Sequence, residues 1–182
     1  MTTSAHGTDA AKKGRGSTPP GRRSAAPVLR SHHGGQSAEL ADAISKITQE
    51  GKAERLEGAK RLQELKPPES FEALLSAAEK EADAEVKCEL LEALSSTAGM
   101  GSVAKPKATL ERLEALLFSE TDARNIDRIC NVIYYSVPGN KHDAEVHFRA
   151  LRERAEARLG RDHAVSQGVS GFMGYATAAD MF

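Results

Sequence analysis

The chain has no tryptophan, and its 182 residues hold only five phenylalanines and three tyrosines. With so few rings, a core must come from Leu, Ile, Val and Ala packed between closely spaced elements. Cysteine is as scarce. Cys88 and Cys130 form neither a disulfide framework nor a CxxC pair, so each is expected to pack as a small hydrophobe in a reducing compartment. No apolar run reaches the length needed to cross a bilayer, and the N-terminus lacks the hydrophobic stretch of a secretory signal. The 25 basic and 26 acidic residues leave a net charge of −1, which gives no overall bias toward nucleic acid or anionic membrane. These absences favour a cytoplasmic or cytoskeletal setting.

Catalytic and metal-binding patterns are also missing. His142 and His147 lie five residues apart, which is not the i, i+4 geometry that brings two ligands to one helix face. His32 and His33 stand in a glycine- and serine-rich arm. Neither cysteine has a nearby histidine in sequence, so zinc and a cysteine nucleophile both lack support. Ser170 in Gly168-Val169-Ser170-Gly171 fails the nucleophile-elbow pattern, and Gly99-Met100-Gly101-Ser102, expected to break the helical pattern, lacks the frame of a phosphate-binding loop. The expectation is a non-enzyme without cofactor or metal.

What is present is helical periodicity. Leu40, Ile44 and Ile47 make one apolar stripe after a candidate cap at Ser37. Leu56, Ala59, Leu62 and Leu65 make a second, stopped by Pro67-Pro68. A third stripe holds Phe71, Leu74, Leu75 and Ala78, with Ser70 as its candidate cap. Asp83 precedes a fourth, with Val86, Leu90, Leu91 and Leu94. Further helices are predicted from Pro106 to Leu117, from Asp122 to Ser136, and over 141–159 with Phe148, Leu151, Ala155 and Leu159 inward. That makes about seven helices over 37–160, between tails at 1–36 and 161–182.

The helices carry a faint internal repeat. Phe71-Glu72-Ala73-Leu74-Leu75 returns as Leu113-Glu114-Ala115-Leu116-Leu117, and Glu81-Ala82-Asp83-Ala84 returns as Glu120-Thr121-Asp122-Ala123. A period of about 40 residues fits two helices of three to four turns with two tight turns. The stretch resembles a HEAT or armadillo repeat. Arg55 to Leu65 looks like the second helix of one unit, Pro67-Pro68-Glu69-Ser70 like the turn between units, and Phe71 to Ala82 like the next first helix. Asp83 then matches the intra-repeat aspartate, followed by Val86, Lys87 and the Leu91–Leu94 pair. Asn125 departs from the pattern, standing where an apolar residue is usual. The resemblance covers about 100 residues. It implies a short right-handed α-solenoid of antiparallel helix pairs with a protein-binding groove.

Three regions invite contact with partners. Residues 1–36 carry six basic side chains, among them Arg22, Arg23 and Arg30, against Asp9 alone. Their Gly-, Ser- and Pro-rich composition predicts disorder. The arm fits a solvated leader, a grip on an acidic partner or nucleic acid, or an organellar transit peptide. Residues 69–99 hold eight acidic and two basic residues, with Glu79, Glu81, Glu85, Glu89 and Glu92 as a candidate acidic surface. Such a surface disfavours nucleic acid on the helical domain. Residues 161–182 lose helical periodicity yet hold Phe172, Met173, Tyr175 and Phe182. They are expected either to fold back on the helices or to serve as a docking peptide. Tyr134 and Tyr135 cannot both face one way on a helix, so one, Tyr135, is a candidate exposed anchor.

The sequence therefore reads as a scaffold or interaction module of a larger assembly, cytoskeletal, ciliary or ribonucleoprotein. The alternatives are an accessory subunit of an enzyme complex, or a nucleic-acid-associated protein acting through its basic arm.

Overall fold

The computed structural model describes residues 33–100 and 105–178, with side chains for 36–100 and 105–174. Arg22, Arg23, Arg30 and Phe182 lie outside the described residues, as does the side chain of Tyr175. Among the described residues there is no strand. Eight α-helices follow one another: α1 His33–Lys46, α2 Lys52–Leu65, α3 Phe71–Lys80, α4 Ala84–Met100, α5 Lys107–Phe118, α6 Ala123–Ser136, α7 Lys141–Leu159 and α8 Ala164–Ala178. A 3-10 turn, Pro68–Ser70, leads into α3.

The repeated tetrad of the sequence is a built turn. Before α4, Asp83 Oδ1 accepts hydrogen bonds from the backbone N–H groups of Glu85 (3.0 Å) and Val86 (3.1 Å). Before α6, Asp122 Oδ1 accepts from Arg124 (2.9 Å) and Asn125 (3.1 Å). Each aspartate thus satisfies donors that the first helical turn leaves without partners. The glutamate ahead of each one closes the turn from the other side. Glu81 Oε1 accepts from Asp83 N–H at 2.8 Å, and Glu120 Oε1 accepts from Thr121 and Asp122 N–H at 2.8 and 3.1 Å. At α7 the same task falls to Asn140 and Asp143, which form a reciprocal capping box.

Consecutive helices pair as α1 with α2, α3 with α4, α5 with α6 and α7 with α8. The even-numbered helices also touch in series: α2 with α4, α4 with α6, α6 with α8. One hydrophobic cluster runs through all of them, from Ala43 and Ile47 to Val165 and Val169. Its largest fully buried members include Leu62, Phe71, Leu75, Leu91, Leu113, Ile129 and Phe148. Each such side chain contributes about 1.5–3 kcal/mol when removed from water. Glycine lets the first pair close: a Cβ on Gly58 of α2 would lie 2.8 Å from the carbonyl oxygen of Ala43.

Four sequence expectations change. The first helix starts at His33, so the boundary drawn at 36/37 cuts through it, and Ser37 is not its cap. Ser70 makes no side-chain cap; its hydroxyl donates to the carbonyl of Pro67 at 2.8 Å, inside the 3-10 turn. Gly99 and Met100 continue α4 and do not break it. Residues 164–178 form α8, an eighth helix and not a tail. Val165 and Val169 are fully buried, and Phe172 stacks on Phe148 with centroids 5.1 Å apart.

Candidate interaction surface

The acidic stretch 69–99 is largely matched by cations brought in from elsewhere in the chain. Arg55 of α2 reaches Glu81 (Nε to Oε2, 2.8 Å), and Lys87 of α4 reaches Glu120 (Nζ to Oε2, 2.9 Å). Arg55 and Lys87 are each the fourth residue of their helix, so the two contacts are the same clasp repeated. Both glutamate side chains are only 8% exposed. Burial works against ionisation of Glu120. The N–H of Asp122, the ammonium of Lys87 and the N–H of Thr121 outweigh it and hold the carboxyl below its ordinary range.

A second set of contacts links the odd-numbered helices. Arg112 of α5 binds Glu72 (2.8 Å) and Glu79 (2.7 Å) of α3, and also donates to Ser76. Arg154 of α7 clamps Glu114 of α5 with two hydrogen bonds of 2.6 and 2.9 Å. Glu72 to Glu114 and Arg112 to Arg154 are both steps of 42 residues, so this pairing repeats with the period of the sequence echo. His147 Nε2 lies 3.1 Å from Glu114 Oε1, the oxygen that also accepts from Arg154 Nη2, outside good hydrogen-bond alignment. Burial raises the Glu114 carboxyl, but His147 and Arg154 pull it down to about 2.

Across the even helices, Arg128 of α6 pairs with Glu92 of α4, and Asn131 donates to Ser95 at 2.6 Å. Lys52 binds Asp83 (3.0 Å) and Glu85 (2.7 Å). Of the five glutamates read as an acidic surface, Glu79, Glu81, Glu85 and Glu92 are therefore engaged within the fold. Glu89 is half-buried and adds its field at Arg128. The sequence concealed this because the partners sit 26 to 40 positions away. The 42-residue step shared by Glu72/Glu114 and Arg112/Arg154 was the available signal.

The proposed anchors divide. Phe172 and Met173 pack on the core, and Phe172 meets Tyr134 edge-on at 5.9 Å, so neither is a free docking residue. Tyr134 packs on the core beside them, while Tyr135 is 41% exposed. Tyr135 borders a shallow pocket of about 170 Å³ at the elbow between α6 and α7. A larger depression of about 530 Å³ between α4 and α6 is polar, lined by Glu92, Ser95, Arg124, Asp127, Arg128 and Asn131.

Reactive chemistry is not assembled at these places. Cys130 is fully buried, and burial together with Asp127 pushes its thiol up to about 12. Among the described residues no group of His, Cys, Asp and Glu could hold a metal ion, and no helix is long and apolar enough to cross a membrane. No family model, no curated protein and no solved structure matches the chain.

Proposed function

We propose that the chain is a non-catalytic protein–protein interaction module: a short right-handed α-solenoid of HEAT/armadillo-like helix pairs, serving as a structural component of a larger assembly. The observation that carries this reading is the doubled clasp. Arg55–Glu81 and Lys87–Glu120 occupy equivalent turns, and Arg112–Glu72 and Arg154–Glu114 recur at the 42-residue step. Equivalent contacts from one helix pair to the next are expected of stacked repeats, in which each hairpin contacts its neighbours. Stacked hairpins build extended surfaces for partner proteins, and the polar depression between α4 and α6, where Arg124 and Asp127 stand beside the Arg128–Glu92 and Asn131–Ser95 contacts, suits that role. Free thiols at Cys88 and Cys130 favour a reducing, cytoplasmic or cytoskeletal location.

The test is affinity capture with the full chain at physiological salt, followed by reconstitution from purified components. A stoichiometric complex with a defined protein, unchanged by nuclease, is the expected result. Capture of nucleic acid alone, lost when residues 1–32 are removed, would overturn it.

A further inference from the structure

We propose that His163 is a proton-operated cap that sets how often α8 lifts off α6 and α7. It stands just before Ala164, and its carbonyl accepts from Gln167 N–H at 3.0 Å, the first bond of the helix. Its imidazole Nδ1 accepts from Val165 N–H at 3.2 Å. That is the arrangement of an N-cap, in which a side chain takes up a donor that the first turn leaves without a partner. The preceding turn holds the residue in place, since His163 N–H donates to the carbonyl of Gly160 at 3.4 Å.

This cap differs in chemistry from those of the other even-numbered helices. Asp83 and Asp122 cap α4 and α6 with carboxylates, which remain acceptors far into acid. A neutral imidazole has one acceptor nitrogen, and a protonated one has none. Uptake of a proton at Nδ1 therefore abolishes the Val165 bond and sets a cation against the positive end of the helix. The residue is half-buried, so protons have access to it. From Ala164 to Ala178 no side chain titrates near neutrality.

The surroundings do not cancel this effect. Among the described residues the imidazole's one partner is the Val165 N–H. On α7, Glu156 is taken by Arg152 (3.7 Å) and Arg161 (3.3 Å), Arg158 lies over the Phe118 ring, and Arg154 and His147 face Glu114. Arg149 and Glu153 are exposed and opposite in sign. On α6, Arg128 pairs with Glu92, while Arg124 and Asp127 carry opposite charges, as do Arg161 and Asp162 beside His163. Once α8 opens, the imidazole is free to bind a proton in the ordinary histidine range, about 6.5, and restoring the cap requires that the proton leave. Opening therefore grows as pH falls through that range and is suppressed above it. The surface it uncovers is apolar: Ile126, packed against Gly168, and Phe148, stacked on Phe172.

Amide hydrogen exchange of the full isotope-labelled chain, corrected for intrinsic rates, tests this at about pH 7.5 and about pH 5.5. Protection of Val169 and Phe172, taken relative to Leu90 and Leu91 of α4, is expected to fall about fivefold at the lower pH. His163→Asn keeps a capping acceptor that does not titrate, so its ratio is expected to hold within about twofold. Long-range proton–nitrogen spectra of the native chain are expected to show Nδ1 unprotonated at the higher pH. A native ratio that also holds within about twofold, a fall of equal size in His163→Asn, or a proton found on Nδ1 at the higher pH overturns the proposal.

Discussion

The junctions at the start of α4 and α6 and the junction at α8 join the same kind of helices by opposite chemistry. At the first two, a cation in the fourth position of the preceding even helix enters a capped turn and meets a nearly buried glutamate. The equivalent position on α6 is Ile126. It lies so close to Gly168 of α8 that a Cβ there would come within 2.3 Å of Ile126 Cγ2. The α8 helix has no charged residue between Ala164 and Ala178, and it is held by Val165, Val169 and Phe172. The ion-paired junctions tie a specific turn to a specific helix and so set register. The dry junction relies on area and close approach, which hold strongly but select weakly.

Removing residues 163–182 strikes the dry junction as a whole. Loss of α8 exposes Ile126, Phe148 and Tyr134 and should lower the melting temperature by about 10–20 °C, several kcal/mol for a chain of this size. Circular dichroism would measure it. An unchanged melt would mean that α8 adds nothing to the core.

Cutting a clasp should cost less and act locally. Glu81→Ala and Glu120→Ala each leave a largely buried cation without its partner and should destabilise by about 1–3 kcal/mol in urea unfolding. Ile126→Lys imports the clasp cation where no glutamate waits and α8 packs tightly. It should cost more than either of them, and the opposite ranking would erase the contrast between the junctions.

The α1–α2 pair sharpens the same contrast, since it too depends on a glycine. Gly58→Ala gains helix propensity but drives a Cβ onto the Ala43 carbonyl, Lys46 and the Ile47 N–H. The expected net cost is about 1–2 kcal/mol by denaturant titration.

Acid probes the pairing between the odd-numbered helices. The Glu114 carboxyl is held at about 2 in the folded chain, below the value of about 4.3 for a free glutamate. Its contribution is therefore complete above that ordinary value and is lost as pH falls toward 2. The stability gap between the native chain and Glu114→Gln should shrink over that window. A gap that stays constant would detach Glu114 from Arg154 and His147.

These contrasts explain what could be read in advance. Stripes such as Leu56, Ala59 and Leu62 show through in one dimension because the neighbours they imply are four residues away. The Glu-x-Asp tetrads show through because a cap is local. The final helix did not, although Val165, Val169 and Phe172 keep helical spacing, because Gly168, Gly171 and Gly174 lower its propensity and no charge marks an outer face. The acidic stretch was only partly legible for a different reason: Glu79 and Glu85 are exposed, but Arg112 and Arg128 return to the stretch from later helices. Tyr135 was legible because adjacent tyrosines on a helix must diverge. The pocket beside it was not, since its lining joins α6, a turn and α7.

The clasps are equivalent contacts between successive even-numbered helices, so their coupling is the quantity to measure first. A double-mutant cycle on Lys87→Met and Glu120→Gln, with a matching cycle on Arg55→Met and Glu81→Gln, isolates each pair in urea unfolding at pH 7. The account predicts a coupling of about 1 kcal/mol or more in both cycles. Coupling within about 0.3 kcal/mol in both would mean that the turns are held by capping alone, and that the repeated charges have no part in joining one helix pair to the next.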